Sequence, residues 1–311
     1  MTDPPLAVSY VVPLRTTDAD EDLIHHLAAL SSIVDEVLLV DGSDEEVFER
    51  HADLLPPAVR HLRPLHDTPM GKVGGVLTAL GHAKHEVVVI ADDDVRWDGP
   101  GLRRALAALG DADVGRPQNR FEPSPWHARW DTGRMLVNRA LSGDWPGTML
   151  VRRDALPSGY AGDALFENLE MVRTVRAAGG TERVLLDVVV ARRPPTPTRF
   201  WEQRVRQAYD EWARPWRLVF QLTWLPLVLR RPRRALPLAA LAVALGELGR
   251  RRAGGRHHWG PTAALWTVPW VAERAITSWL AVAARLRGGV RYRGQRLPVA
   301  AHSVRALRAR L

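Results

Sequence analysis

Short apolar runs and helical stripes alternate along the first 190 residues, the pattern of βαβ units around a mostly parallel sheet. Val8 to Val12 reads as a strand closed by Pro13, and Leu23, Leu27 and Leu30 follow at helical spacing. Glu36 to Val40 is the second strand; it ends in the turn-forming run Asp41-Gly42-Ser43-Asp44. Val73, Val76, Leu77 and Leu80 trace one face of a helix, and Glu86 to Ile90 is the next strand. Asp113 to Arg116 and Gly147 to Val151 are further strands, with a Trp- and Pro-containing segment between them that reads as a loop. Leu165, Leu169, Val172 and Val175 predict a helix from Asp163 to Ala178, stopped by Gly179-Gly180, and Val184 to Val190 a final strand. Beyond Pro194 to Pro197, Arg199 to Ala213 reads as an amphipathic helix with Trp201, Val205 and Trp212 on its apolar side.

From Trp216 the pattern changes. Leu218 to Leu229, Ala235 to Leu245 and Thr262 to Leu286 are apolar, divided by Arg230 to Arg234 and Arg250 to Arg252. The first two are too short to span a bilayer, and Glu273 and Arg274 interrupt the third, so their lengths suit interfacial helices as well as spans. A buried helical subdomain is the competing reading.

Charge sharpens this division. Residues 1–200 carry 22 Lys and Arg against 30 Asp and Glu, whereas residues 201–311 carry 21 against 5. The expected organisation is a domain over residues 1–215 and a helical membrane-associated region with a basic tail over 216–311. Arginine clusters between apolar runs favour anionic lipid as partner, with the clusters on the cytoplasmic side. No nucleic-acid-binding motif accompanies the charge, so no nucleic-acid partner is expected. The chain has no cysteine, which excludes disulfides and thiolate metal sites. Met1 to Ala7 lacks the basic and apolar pattern of a cleavable signal.

Candidate chemistry collects where strands end. Asp92 and Asp94 follow a strand and are one residue apart, so both can reach one hard divalent cation, Mg2+ or Mn2+. Ligands of open α/β sheets bind at that edge, and Asp41 ends the neighbouring strand. Lys72, in Gly71-Lys72-Val73-Gly74-Gly75, brings a cation to a helix N-terminus suited to phosphate, although the spacing is not that of a P-loop.

The order Val11-Val12-Pro13-Leu14, Leu39-Val40-Asp41-Gly42-Ser43, Gly71-Lys72-Val73-Gly74-Gly75 and Ile90-Ala91-Asp92-Asp93-Asp94-Val95 resembles the nucleotide-binding half of the family-two glycosyltransferases. Gly147 to Arg153, the acidic run from Asp163 to Glu170, and Gln203-Arg204-Val205-Arg206-Gln207 resemble its acceptor-side strand, acidic helix start and Gln-x-x-Arg-Trp signature. Together they cover residues 7–215, and the Arg-Tyr-Arg-Gly segment from Arg291 to Gly294 also fits.

The resemblance implies a GT-A fold and an inverting transfer from a nucleotide-diphosphate sugar to an acceptor hydroxyl. A lipid-linked acceptor is inferred from the tail alone. It also implies that Asp41 contacts the base, Lys72 the phosphates, Asp92 and Asp94 the ribose and metal, and Gln203 and Arg206 the diphosphate. Two positions depart from the pattern: the Glu-Asp pair is Glu167-Asn168, and the Trp after Arg206 is Gln207, which argues against a processive channel. Glu167 is therefore the candidate base and Asp163 its alternative, both expected with Glu170 on an open helix face. The rival readings are a non-catalytic binder of lipid or sugar nucleotide, and a pyrophosphorylase. The latter needs a Gly-rich loop after the first strand, where Pro13 to Thr17 has no glycine.

Overall fold

The computed structural model describes residues 4–310, so residues 1–3 of the N-terminal stretch lie outside the described residues. In chain order the elements begin β1 (Leu6–Leu14), α1 (Glu21–Leu30), β2 (Val34–Asp41), α2 (Glu45–Leu54), β3 (Val59–Leu62), α3 (Gly71–His82), β4 (Val87–Ala91), β5 (Val95–Arg96) and α4 (Gly99–Leu109). They continue β6 (Val114–Phe121), α5 (Trp126–Leu141), β7 (Thr148–Arg152), α6 (Glu167–Ala177), β8 (Glu182–Arg192) and α7 (Pro197–Tyr209). The last part holds α8 (Pro215–Arg230), α9 (Ala235–Arg251), α10 (Thr267–Leu286), the hairpin β9 (Val290–Tyr292) and β10 (Gln295–Leu297), and α11 (Val304–Arg308).

Eight strands form one sheet in the order β3-β2-β1-β4-β7-β6-β8-β5. Pairing is parallel from β3 through β2 and β1 to β4 and again between β6 and β8, and antiparallel where β7 and β5 join. The unbroken apolar runs of the central strands follow from cover on both faces. Val11, Leu38, Val40, Val88 and Ile90 face α3 and α6, while Tyr10, Val12, Leu39 and Val89 face α1 and α4. Asp20 caps α1 by accepting from the Leu23 amide, and Asp98 caps α4 by accepting from Gly101.

Three expectations need correction. The segment read as a loop is the end of β6 and the 16-residue helix α5. Its stripe is hidden because Asp131, Asn138 and Arg139 are buried alongside Met135 and Leu136, satisfied by partners that the sequence does not reveal. Helix α7 buries Phe200, Arg204 and Tyr209, while Trp201 is half exposed, and the chain tightens into a 3-10 turn at Asp210–Ala213. Arg204 takes a core position because its guanidinium lies 3.1 Å from Asp131 and 3.6 Å from Glu273. Helix α6 starts at Glu167, since the preceding residues run extended beside the C-terminal segment: Leu165 donates to the Val299 carbonyl at 3.0 Å and Phe166 to Ala300 at 2.8 Å.

The C-terminal helices pack onto the rest of the fold, α9 on α5 and α10 on both α5 and α7. Arg139, fully buried, ties these layers by donating to the carbonyls of Leu186 in β8, Gly249 in α9 and Arg252. Among the described residues, no helix is long and apolar enough to cross a membrane. The close approach of α9 to α5 depends on Gly249, where a Cβ would overlap the Leu136 carbonyl oxygen. Gly249→Ala should therefore cost about 1–3 kcal/mol, the usual range for overpacking, read from urea unfolding of the full chain. An unchanged midpoint would show that α9 does not rest on α5.

Candidate functional site

The parallel strands β1, β2 and β4 end on one edge of the sheet, and Asp92, Asp93 and Asp94 follow β4 immediately. The Asp92 amide donates to the Gly147 carbonyl at 2.7 Å, which closes the junction with β7. Gly147 has no alternative here: a Cβ would stand 2.6 Å from Asp92 Oδ2 and 2.9 Å from the Arg192 guanidinium carbon. Above this edge opens a cavity of about 840 Å3. Its walls come from the sheet edge, the starts of α3 and α6, the helices α5, α7 and α10, and the β9–β10 hairpin.

Two cations hold its floor together. Lys72, in the first turn of α3, bridges Asp92 and Glu167, with Nζ 2.6 Å from Glu167 Oε1. Arg192, at the end of β8, places Nε 2.7 Å from both Asp94 oxygens and Nη2 3.1 Å from Asp92 Oδ2. Burial alone would raise the Asp92 pKa, but the charges of Lys72 and Arg192 outweigh it and hold the carboxyl below its usual range. Burial and then the Asp92 charge push Asp93 up; for Asp94, burial outweighs the Arg192 charge. Lys72 is held above the ordinary lysine value, because Asp92 and Glu167 overcome its own desolvation.

Asp92 and Asp94 converge on one guanidinium, that of Arg192, and two hard oxygen donors gathered on one charge are the chemistry that a divalent cation takes. Among the described residues, the one grouping of three or more His, Asp or Glu side chains close enough to share an ion is Asp41, His51 and His61. Its atoms already bond to one another: Asp41 Oδ2 lies 2.6 Å from His51 Nδ1 and 3.2 Å from His61 Nε2, while Oδ1 accepts from the Ser43 amide.

The cavity brings together Lys72, Asp92, Asp94, Glu167, Gln203 and Arg206. It does not include Asp41, whose side chain is fully buried behind Gly42, nor Asp163, which is exposed with Oδ2 3.8 Å from His302 Nε2. The open acidic face expected on α6 is reduced to Glu167. Asp163 precedes the helix, and Glu170 is buried, accepting from the His302 amide at 2.7 Å. Asn168 lines the cavity and donates to the Pro146 carbonyl at 2.9 Å, which fixes the start of α6 against the approach to β7.

Sequence reasoning missed Arg192, Arg134, Asp210, Trp270 and Arg274, all on the cavity wall. Arg192 had a signal, since Arg192-Arg193 closes a strand just before a proline run. The others sit in segments read as a loop (Arg134), an amphipathic helix (Asp210) or an apolar run (Trp270 and Arg274).

Neither a protein-family model nor a curated protein matches the sequence. Among solved structures, a mannosyltransferase from Pyrobaculum calidifontis, in complex with GDP-Man and Mn2+, aligns over 93% of this chain and 77% of its own, at 20% identity and a TM-score of 0.48. Mannosyl-3-phosphoglycerate synthase from Rubrobacter xylanophilus aligns over 63% and 70%, at 16% identity and 0.44. Glucosyl-3-phosphoglycerate synthase from Mycobacterium tuberculosis, in complex with Mn2+, UDP-Glc and phosphoglyceric acid, aligns over 62% and 74%, at 16% identity and 0.43. With TM-scores below 0.5 these likenesses decide nothing about the chemistry, which rests on the residues of the cavity.

Asp210 gives the cavity a measurable titration. Burial pushes its pKa from an ordinary 3.8 up to about 8, against the lowering effect of Arg214. A carboxyl raised in the folded state binds its proton there first, so its contribution to stability is full at low pH and is lost as pH rises from about 4 to about 8. Asp210→Asn keeps the neutral shape, and its melting temperature should fall less than that of the unaltered protein between pH 6 and 8. Parallel falls would show that Asp210 titrates as it does in water.

Proposed function

We propose that this chain is a metal-dependent, inverting glycosyltransferase that moves a sugar from a nucleotide-diphosphate donor to an acceptor hydroxyl. The observation that carries the reading is the Lys72 bridge. One ammonium joins the carboxylate at the end of β4 to the carboxylate at the start of α6, inside a cavity large enough for a sugar nucleotide. A diphosphate arriving above α3 competes with Glu167 for Lys72, because both are anions within reach of one cation. Its binding releases Glu167. The freed carboxylate then takes the acceptor proton while the acceptor oxygen attacks the anomeric carbon from the face opposite the diphosphate. The bond from that carbon to the diphosphate breaks, and its electron pair leaves with the nucleotide.

Asp92 and Asp94 would hold Mg2+ or Mn2+, which supplies charge stabilisation to the departing diphosphate. Arg192 positions both carboxylates for this role. Gln203 and Arg206, one helical turn apart on α7, face the same cavity and are assigned to the diphosphate. Asp41 reaches the base only by giving up a histidine partner, so its contact with the nucleotide is assigned to the backbone beside it, at Gly42.

The exposed surface of the C-terminal helices supports attachment to a membrane surface. Trp216, Val219 and Leu229 on α8, Leu236 on α9, and Leu280 and Leu286 on α10 are exposed, and Arg230 to Arg234 are exposed between α8 and α9. Large apolar residues beside free arginines suit the headgroup region of an anionic bilayer. The catalytic domain then lies on the cytoplasmic side, within reach of a lipid-linked acceptor.

Glu167→Gln and Asp94→Asn should each lower nucleoside diphosphate release from a panel of nucleotide sugars by about 100-fold or more, the scale of a lost base or metal ligand. Glu167→Gln should keep donor-induced thermal stabilisation, and Asp163→Asn should remain active. Full activity of Glu167→Gln would place the base elsewhere; pyrophosphate exchange in place of release would identify a pyrophosphorylase.

For the membrane, the full chain should float with vesicles containing anionic lipid, float less with neutral ones, and detach partly as salt rises. Failure to float with anionic vesicles at low salt would leave the exposed apolar surface to another partner.

A further inference from the structure

At the inner end of the cavity, five arginines from α5, α7, α8, α10 and the turn after α7 meet the carboxyl groups of Asp131, Asp144, Glu211 and Glu273. Arg134 lies 3.1 Å from Asp131 and 2.9 Å from Asp144. Arg204 pairs with Asp131 and Glu273. Arg214 and Arg217 share Glu211, at 3.0 and 3.3 Å. Arg274 is the exception. It is 2% exposed, its Nε and Nη1 atoms have no hydrogen-bond partner, and its guanidinium forms no ion pair among the described residues. The Trp270 ring stands beside it with its centroid 5.5 Å away, and the two carboxylates whose charge reaches it, Glu273 and Glu211, are engaged by Arg204, Arg214 and Arg217. Asp210, also on this wall, holds its proton near neutral pH and supplies no counter-charge.

A buried cation without a partner is costly, and burial shifts Arg274 in the direction of charge loss. Because this side chain lines the cavity, its counter-ion can enter from there. We propose that Arg274, with Trp270 holding its plane and the Arg214 Nε as a second unfilled donor, forms a subsite for a phosphate group carried by the acceptor. A guanidinium fork matches the oxygens of a phosphate in pairs, which makes the contact selective as well as strong. The proposal rests on the transferase reading only for the word acceptor; the anion site stands on its own geometry.

The test uses the full-length protein and no donor. Inorganic phosphate, glycerol phosphate and decyl phosphate should each raise the melting temperature, since each binds the native state. Arg274→Met should weaken that binding about ten- to a hundredfold, the effect of losing a charged hydrogen bond. The same variant, free of ligand, should melt above the unaltered protein, because it removes a buried charge whose Nε and Nη1 donors have no hydrogen-bond partner. Lys72→Met should keep the phosphate shift. Persistence of the shift in Arg274→Met overturns the proposal, and so does a ligand-free variant that melts lower or fails to fold. A larger shift with decyl phosphate than with glycerol phosphate identifies a lipid acceptor, and equal shifts a soluble one. Arg274-dependent phosphate binding without consumption of any nucleotide sugar leaves the subsite standing and removes the transferase reading. Transfer to a phosphate-bearing acceptor at full rate and unchanged KM in Arg274→Met does the reverse.

Discussion

Carboxylates can be gathered inside a cavity only if positive charge is gathered with them. Here Asp92, Asp94 and Glu167 are held by two cations, Lys72 from α3 and Arg192 from β8, and each cation touches more than one acid. That arrangement settles where the neighbouring elements must lie. Helix α3 has to begin over the end of β4, α6 has to begin opposite it, and β8 has to end within reach of both aspartates. It also leaves the floor in a state that an incoming diphosphate and metal can take over, since they bring the same two charges that the protein now pairs internally.

The same rule of neutralisation extends up the wall. Asp131, Arg134 and Asn138 of α5, Arg204 of α7 and Arg217 of α8, with Asp144 and Glu211 beside them, replace what would ordinarily be an apolar contact between these helices. A buried network of this kind contributes less to stability than a hydrophobic interface of equal size. What it provides is a polar surface deep in the cavity.

The sheet was legible because both of its faces are covered, so its strands are written as continuous apolar runs that end in chemistry-bearing residues such as Asp41 and Asp92. The floor of the cavity was legible for the same reason: Lys72, Asp92, Asp94 and Glu167 sit at element ends, where sequence patterns change. The upper wall was not. Helix α5 reads as a loop because its inward positions are acids, amides and arginines whose partners lie on other helices. The apparent stripe of α7 points Trp201 outward for a related reason, as Arg204 is paid for by Asp131 and sits inside. Burial of Asp41 against two histidines was hidden as well, since neither His51 nor His61 belongs to a recognisable motif.

Helix α10 joins two surfaces that are usually kept apart. Its inward face contributes Trp270 and Arg274 to the cavity, while its outward face exposes Ile276, Trp279 and Leu280. Five residues separate Arg274 from Trp279, about 7.5 Å along a helix axis. Anything on which the outer face rests is thereby set at a fixed height from the reacting centre, with no flexible linker to average the distance. The helix acts as a gauge: for the lipid-linked acceptor proposed above, reach into the cavity would be set by its diameter, and a chain of the wrong length would arrive with its reactive end too shallow or too deep.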